Sequence, residues 1–366
     1  MKISQITYSG FGGLGSVVFS LISADTSQRY RWSLGFIGDQ PPDASYPALC
    51  DAHHVVYSAF RSTPGKPYRA WWALARWLDA IKPDSVICHS INSILACRWY
   101  AWFNGARLIA VEHTPNQVKT RSEWAASWLS MLIADRVVVL TKEYRQELRK
   151  AHGWLWRADK VCVIANGIDT VRFRPATTLL PMVGRTIRLG MAARFSFSKR
   201  QDLLVEVMSK LASLRPDLSF ELRFAGNGDD LHRVQAMARS SPVAMHIHFD
   251  GLLTEVQVAE WLQNLDIYVH ATDGETLSTS LLQAMSTGLP IVASDIPGVS
   301  NLLGANAEYG LCISNDALSF LHAILKLVKS AEFSTALAAR ARARILENYS
   351  HEVMLRGYLE VIAQCK

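Results

Sequence analysis

The chain has 366 residues, 49% of them hydrophobic and 19% charged, with a formal net charge of +6. It is long enough for two domains at roughly 100–200 residues each, and no apolar run approaches the ~20 residues of a membrane-spanning helix. The six cysteines, at 50, 88, 97, 162, 312 and 365, show no paired spacing, which excludes a disulfide framework or a zinc site and points to reduced thiols.

Residues 2–8 read as a first strand, and the opening MKISQITYSGFGG has no signal-peptide form, so a cytoplasmic chain is expected. Glycines at 10, 12, 13 and 15 then lead into an apolar helix. They are out of register for GxGxxG, and no acidic ribose ligand follows at the usual distance. What the loop offers is close backbone approach to a ligand at Gly12 and Gly13. Strand-like runs follow at 32–37, 54–57, 85–88, 107–111, 136–140 and 161–164, with helical stretches at 67–81, 92–104, 122–134 and 141–151. This alternation predicts a parallel sheet covered on both faces. His89 and His113 each end a strand, where ligands of open α/β sheets bind.

Residues 171–186 contain Pro twice without helical or strand period and are expected to link two domains. Alternation then restarts, with strands at 187–192, 220–225, 245–249, 266–270 and 290–294 and helices at 200–213, 229–240, 254–264, 279–287 and 316–329. An amphipathic helix at 350–364, with Ser350 as its cap, closes the chain.

Chemistry concentrates in DIYVHATDGETLSTSLLQAMSTGLPIVASDIPG, residues 266–298, which reads strand, loop, helix, strand. A loop entering a helix leaves backbone N–H groups unpartnered at the positive end of the helix dipole, a ready phosphate site. The small residues Thr276, Ser278, Thr279 and Ser280 allow close approach. Glu275 would repel phosphate and suits the hydroxyls of a sugar. Upstream, Arg194 and Lys199 follow the strand IRLGMAA and suit a diphosphate, Arg as a fork and Lys as a point charge.

Several segments, in order, resemble the retaining glycosyltransferases of family 4. VCVIANGIDTVRFRP resembles that family's "PNGVD…F.P", and MAARFSFSKRQDLL its "GRL…KG…LL". RFAGNGDD resembles its "GxG" loop, and LDIYVHAT its "ADVFVLPS". ETLSTSLLQAMSTGLPIVASDIPG resembles "EGFG…EAMA.G.PVV..D.GG", and ADRVVVLTKEYRQEL resembles "ADRVIAVSE". The resemblance implies an α/β chain of GT-B fold, two Rossmann-like domains with parallel sheets facing across a cleft. It implies an acceptor-binding domain at 1–170, a donor-binding domain at 187–348, and a final segment, 349–366, crossing back to the first. It further implies metal-independent transfer with retention from a nucleotide-sugar, a UDP- or GDP-sugar, with no cofactor.

Carried over by position, Arg194 and Lys199 neutralise the donor diphosphate, and Glu275 holds donor-sugar hydroxyls. Ser278, Thr279 and Ser280 start the phosphate-binding helix, Gly13 closes on the diphosphate, and His113 stands near the transferred sugar. The family's second Glu is here Gln283, which keeps one acceptor and gains a donor; altered nucleotide affinity is expected. That departure also motivates the alternative of a catalytically weakened nucleotide-sugar-binding protein. Acceptors are expected to be glycans, lipid-linked, in lipopolysaccharide or O-antigen assembly.

Residues 1–175 hold 21 Lys/Arg against 13 Asp/Glu, and ten of the eleven Trp lie in the first half. No RNA-binding strand motif accompanies this charge, so nucleic acid is not an expected partner. An anionic membrane surface is. KPYRAWWALARWLDAIK places Trp71, Leu74, Leu78 and Ile81 on one stripe, and RSEWAASWLSMLI places Trp124, Trp128 and Leu132 on another. Trp with flanking Lys/Arg fits a helix lying in a membrane interface, and the expected location is peripheral, on the inner face of the membrane.

Overall fold

The computed structural model describes every residue except 11–12, 64–66, 115, 117–118, 177–183, 305 and 366. Gly12 therefore lies outside the described residues, as do Lys66 and positions 177–183 of the expected linker. The chain divides into two compact units, Met1–Gly167 with His351–Lys366, and Ile168–Ser350.

The first unit runs β1 (Lys2–Tyr8), α1 (Gly13–Ser23), β2 (Arg31–Gly38), α2 (Ser45–Ala52), β3 (Val56–Arg61), α3 (Tyr68–Ile81), β4 (Ser85–Cys88), α4 (Ile94–Asn104), β5 (Arg107–Glu112), α5 (Arg121–Ile133), β6 (Arg136–Val139), α6 (Lys142–His152) and β7 (Val161–Val163). Its strands pair in parallel in the order β3-β2-β1-β4-β5-β6-β7. β4 is wholly buried, as expected of a strand covered on both faces. Local signals set the helix ends. Thr120 and Glu123 form a reciprocal cap at the start of α5, and Gly105, at φ 65°, takes the left-handed turn that ends α4. The third strand begins two residues after its expected start and runs four beyond the expected end. The sequence pattern also passed over α2, whose inward side chains are only Tyr46 and Cys50.

The second unit runs β8 (Ile187–Ala192), α7 (Gln201–Leu214), β9 (Phe220–Ala225), α8 (Leu231–Arg239), β10 (Ile247–Gly251), α9 (Glu255–Gln263), β11 (Ile267–His270), α10 (Thr279–Ser286), β12 (Ile291–Ser294), α11 (Pro297–Leu303), β13 (Leu311–Ile313), α12 (Ala317–Lys329) and α13 (Ala331–Asn348). Its parallel order is β10-β9-β8-β11-β12-β13. The last helix, α14 (His351–Gln364), belongs to the first unit.

Both sheets reverse direction of growth at one place, between β1 and β4 in the first and between β8 and β11 in the second. Ligands of open α/β sheets bind at the carboxyl ends of strands flanking such a reversal. The loop after β1 leads to Gly13, and His89 follows β4. The loop after β8 holds Arg194 and Lys199, and Glu275 follows β11.

Candidate active site

In the second unit, glycines shape the site from beneath. Gly226 (φ 136°) and Gly228 (φ 155°) take backbone angles that side chains rarely adopt, and a Cβ on either would strike the carbonyl oxygen of Ala193 or Phe195. The Ala225–Gly228 loop thus forms a floor under residues 193–195, joined by Ala193 N–H to Ala225 O and Phe195 N–H to Asn227 O, both 3.0 Å. The far end of the 193–200 loop is stitched to the β11 loop: Asp273 N–H donates to Ser198 O at 2.8 Å and Thr272 Oγ1 to the same oxygen at 3.0 Å. A Cβ on Gly298 would strike the carbonyl of Glu275, so α11 can approach the backbone there only with glycine.

These loops bring Lys199 and Glu275 together. Lys199 Nζ bonds Glu275 Oε2, with the two side chains 17% and 18% exposed. His270, fully buried, sits with Nε2 3.6 Å from the same oxygen, and among the described residues neither ring nitrogen has a hydrogen-bond partner. Its ring stacks on Tyr268 at 6.0 Å. Burial by itself raises the Glu275 carboxyl pKa, but the nearby His270 and the Lys199 ammonium outweigh it and hold the pKa down at about 2. Glu275 is therefore an anion at neutral pH that accepts hydrogen bonds and donates none. Burial lowers the His270 pKa despite the neighbouring carboxylate.

Arg194 is placed differently. Its side chain is 73% exposed and lies 3.6 Å from Asp229, so the two expected diphosphate ligands have separate partners in this state. The helix start is formed as the sequence suggests. Ser278 caps α10, its hydroxyl accepting from Leu281 N–H at 3.4 Å. An α-helix leaves its first N–H groups without internal partners, and Thr279 and Ser280 stand at that end of α10. Gln283 lies one turn on and is 7% exposed. The other end of α10 is fastened by residues the sequence did not single out. Arg342 of α13 donates to the carbonyls of Ser286 and Phe173, and Ser286 Oγ donates to Phe173 O at 2.6 Å. This accounts for Phe173 in the NGIDTVRFRP segment, where it is wholly buried.

In the first unit His113 follows β5 and joins a chain of hydrogen bonds. Gln5 Nε2 donates to Val18 O at 3.3 Å, which turns Gln5 Oε1 toward His89 Nε2 at 3.0 Å. His89 Nε2 must then carry the proton, leaving Nδ1 to accept from His113 Nε2–H at 3.0 Å. His113 is left with a lone pair on Nδ1. Burial lowers the His113 pKa to about 4 and, with the neighbouring ring, pushes His89 well below its ordinary value. Both are neutral at pH 7, and the tautomer is set from β1. Beside His113, Glu112 Oε2 and Lys119 Nζ form an ion pair at 2.8 Å, both side chains 1% exposed. Lys119 also lies 4.7 Å from the Trp124 ring and 5.5 Å from that of Tyr144. Gly13 opens α1.

Two family models match the chain: Glycosyltransferase Family 4 over residues 11–172 and Glycosyl transferases group 1 over residues 186–330. Together they take in most of both units, and the chain belongs to this family of glycosyltransferases. Among curated relatives, a lipopolysaccharide core biosynthesis mannosyltransferase, LpsB of Rhizobium meliloti, is 29% identical over 210 residues, 54% of this chain and 59% of that protein. A colanic acid biosynthesis glycosyltransferase described as putative, WcaL of Salmonella typhimurium, is 23% identical over 335 residues, 82% of this chain and 80% of that one. Anabaena HepE, solved in complex with UDP and glucose, superposes over the full length of both chains with a TM-score of 0.83 at 16% identity. The last likeness establishes the GT-B fold.

Proposed function

We propose that the protein is a retaining, metal-independent glycosyltransferase that moves a sugar from a UDP- or GDP-sugar to a lipid-linked glycan acceptor in bacterial surface polysaccharide assembly, working at the inner face of the membrane. The observation that carries this reading is the Lys199–Glu275 pair, set at the sheet reversal beside the start of α10. A sugar diphosphate offers one group to each partner. Its phosphate oxygens suit Lys199, Arg194 and the N–H groups of Thr279 and Ser280. Its hydroxyls suit the anionic Glu275. Binding exchanges one internal ion pair for two contacts to the donor.

In transfer, the bond from the anomeric carbon to the diphosphate oxygen breaks and the electron pair leaves with the diphosphate. Charge grows on the leaving group, where fixed cations and N–H groups are worth most. The acceptor hydroxyl forms the new bond at the anomeric carbon and gives its proton to the departing diphosphate. His113, neutral with its lone pair on Nδ1, accepts from a sugar hydroxyl. Glu275 stays ionised throughout and acts on the sugar without giving up a proton.

A melting-temperature screen of UDP, GDP, UDP-glucose and GDP-mannose, with and without EDTA, tests this. A bound donor raises the melting temperature by linkage, the shift survives EDTA, and Lys199→Ala removes it. No shift with any nucleotide would overturn the donor site. Gln283, standing where the family has Glu, supports a second reading, a nucleotide-sugar-binding protein with weakened catalysis. Donor hydrolysis without acceptor separates the two.

A further inference from the structure

Helix α4 is apolar on both sides. Its inner face packs Ile94, Ala96, Cys97, Tyr100 and Ala101 into the core, each 5% exposed or less. Its outer face presents Leu95, Trp99, Trp102 and Phe103, exposed by 45%, 65%, 74% and 70%. A helix at the surface of a water-soluble unit normally turns a polar face outward. Here Arg98 is the only charged residue in the helix, and its guanidinium lies 5.8 Å from the Trp102 ring. Neighbouring α3 repeats the pairing, with Trp72 64% exposed and Arg76 4.7 Å from its ring.

Beside the end of α4 an open cavity of about 700 Å³ is lined by Trp102, Lys82, Arg98 and Arg107 together with Asp84 and Asp135. Both carboxylates are engaged from within. Asp84 accepts from Lys2 N–H at 2.7 Å, and Asp135 accepts from Leu108 N–H at 2.7 Å. The cavity thus sets three cations against two carboxylates, with Arg98 3.5 Å from Asp135, and keeps a net positive charge beside exposed indole.

We infer that the outer face of α4, with this basic cavity, is a docking surface for an anionic lipid bilayer. Two features favour lipid over a second copy or a protein partner. Trp and Phe rings beside Arg are the pattern of side chains seated at a headgroup boundary. The charge complements anionic headgroups. The helix starts five residues after His89, at the carboxyl end of β4, and is about 16 Å long at 1.5 Å per residue, so Trp102, Phe103 and the cavity lie at the amino ends of β1, β4, β5 and β6, about one strand length from the histidines. The inference rests on the proposed lipid-linked acceptor and names the surface that would meet the lipid.

The test is co-sedimentation of the full chain with vesicles of phosphatidylglycerol and phosphatidylcholine, and of phosphatidylcholine alone, at low and high salt. Wild type should pellet with the anionic vesicles at low salt and less at high salt. Arg98→Gln with Arg107→Gln should weaken partitioning about 30-fold, from ~1 kcal/mol per basic residue. Trp99→Ser with Trp102→Ser and Phe103→Ser should abolish it. Melting shifts with UDP-glucose and GDP-mannose, run on the same variants, report the donor site separately and show that the variants are folded. Absent wild-type binding, or a triple variant that pellets like wild type, would overturn the surface whatever the donor result. So would light scattering that shows a wild-type dimer and a monomeric triple variant.

Discussion

The two sheet reversals hold their buried polar groups in opposite states. In the second unit Lys199 and Glu275 form an ion pair and Glu275 is held ionised, at about 2. In the first unit Gln5, His89 and His113 form a neutral chain, with His113 lowered to about 4. Under the proposed function the contrast matches two recognition problems. A diphosphate is permanently charged, so its receptor can hold countercharge ready and release it on binding. A sugar hydroxyl is neutral, and a fixed lone pair orients it without the desolvation cost of a buried ion.

The sharpest way to break the comparison is to remove charge from the second unit alone. Glu275→Gln should lower transfer by roughly 10²–10³-fold, the scale of losing one preorganised polar contact at the reacting centre. The protein should keep its circular dichroism spectrum, because the residue lies on a loop. A folded variant with near wild-type transfer would mean that Glu275 does not touch the sugar. Lys199→Ala should cost about 2–4 kcal/mol of transition-state stabilisation. Arg194→Ala should cost less, since that side chain starts 73% exposed and must be drawn in by the donor. Equal losses in kcat/KM for the two would show that both side chains serve the diphosphate alike.

These charged residues were legible in the sequence because each sits in a motif at a strand end, and the order of strands and helices was legible from alternation. Other parts were not. The stripe Trp71, Leu74, Leu78 and Ile81 fits a membrane helix by composition, but the structure corrects that reading. Leu74 and Leu78 are fully buried, and Trp71 and Ile81 pack against the same core, because the stripe is what holds α3 to its sheet. On α5, Trp128 and Leu132 remain about half exposed while Trp124 lies against Lys119. The outward apolar face is on α4, where apolar residues on both sides erase the periodicity that would have revealed it. Gln5 was hidden differently. It lies within a buried strand, 84 positions from His89, and nothing local marks the pairing. His270 did leave a signal, a polar residue where the resembling segment has Leu.

The histidine chain gives the next effect in size. His89→Phe would leave His113 Nε2–H and Gln5 Oε1 unpaired and free the His113 tautomer, at roughly 1–3 kcal/mol for each buried group. Transfer should fall about tenfold, the equivalent of ~1.4 kcal/mol. Acid should distinguish the two units as well. The folded pKa of His113 lies below its ordinary 6.5, so the unfolded chain takes up a proton first; stability present above pH 6.5 is lost as pH falls toward about 4. The Glu275 pKa is also depressed, from 4.5 to about 2, so its contribution is present above pH 4.5 and is lost between there and about pH 2. Hydrogen exchange of wild type and His89→Phe at pH 7 and 5 checks the first window. The variant should narrow the difference between the two pH values in β1, β4 and β5 and leave β8 and β11 unchanged. Equal changes in both units would show that the two sites do not titrate separately.

The smallest expected effect concerns Gln283. It lies on α10, four residues beyond Thr279, and is 7% exposed. Gln283→Glu restores the residue of the resembling family and adds a negative charge to the helix whose start is proposed to hold phosphate. If the side chain meets the ribose, the contact is the same before and during bond cleavage, because the ribose takes no part in the chemistry. Such a contact changes donor KM and leaves kcat alone. The expected result is a change of a few-fold in KM, within ~1 kcal/mol, and a kcat within a factor of about two. A fall in kcat at unchanged KM would place residue 283 beside the reacting carbon. The charged site would then extend from Glu275 along α10, and the second unit would act on the sugar through two side chains where one is assigned.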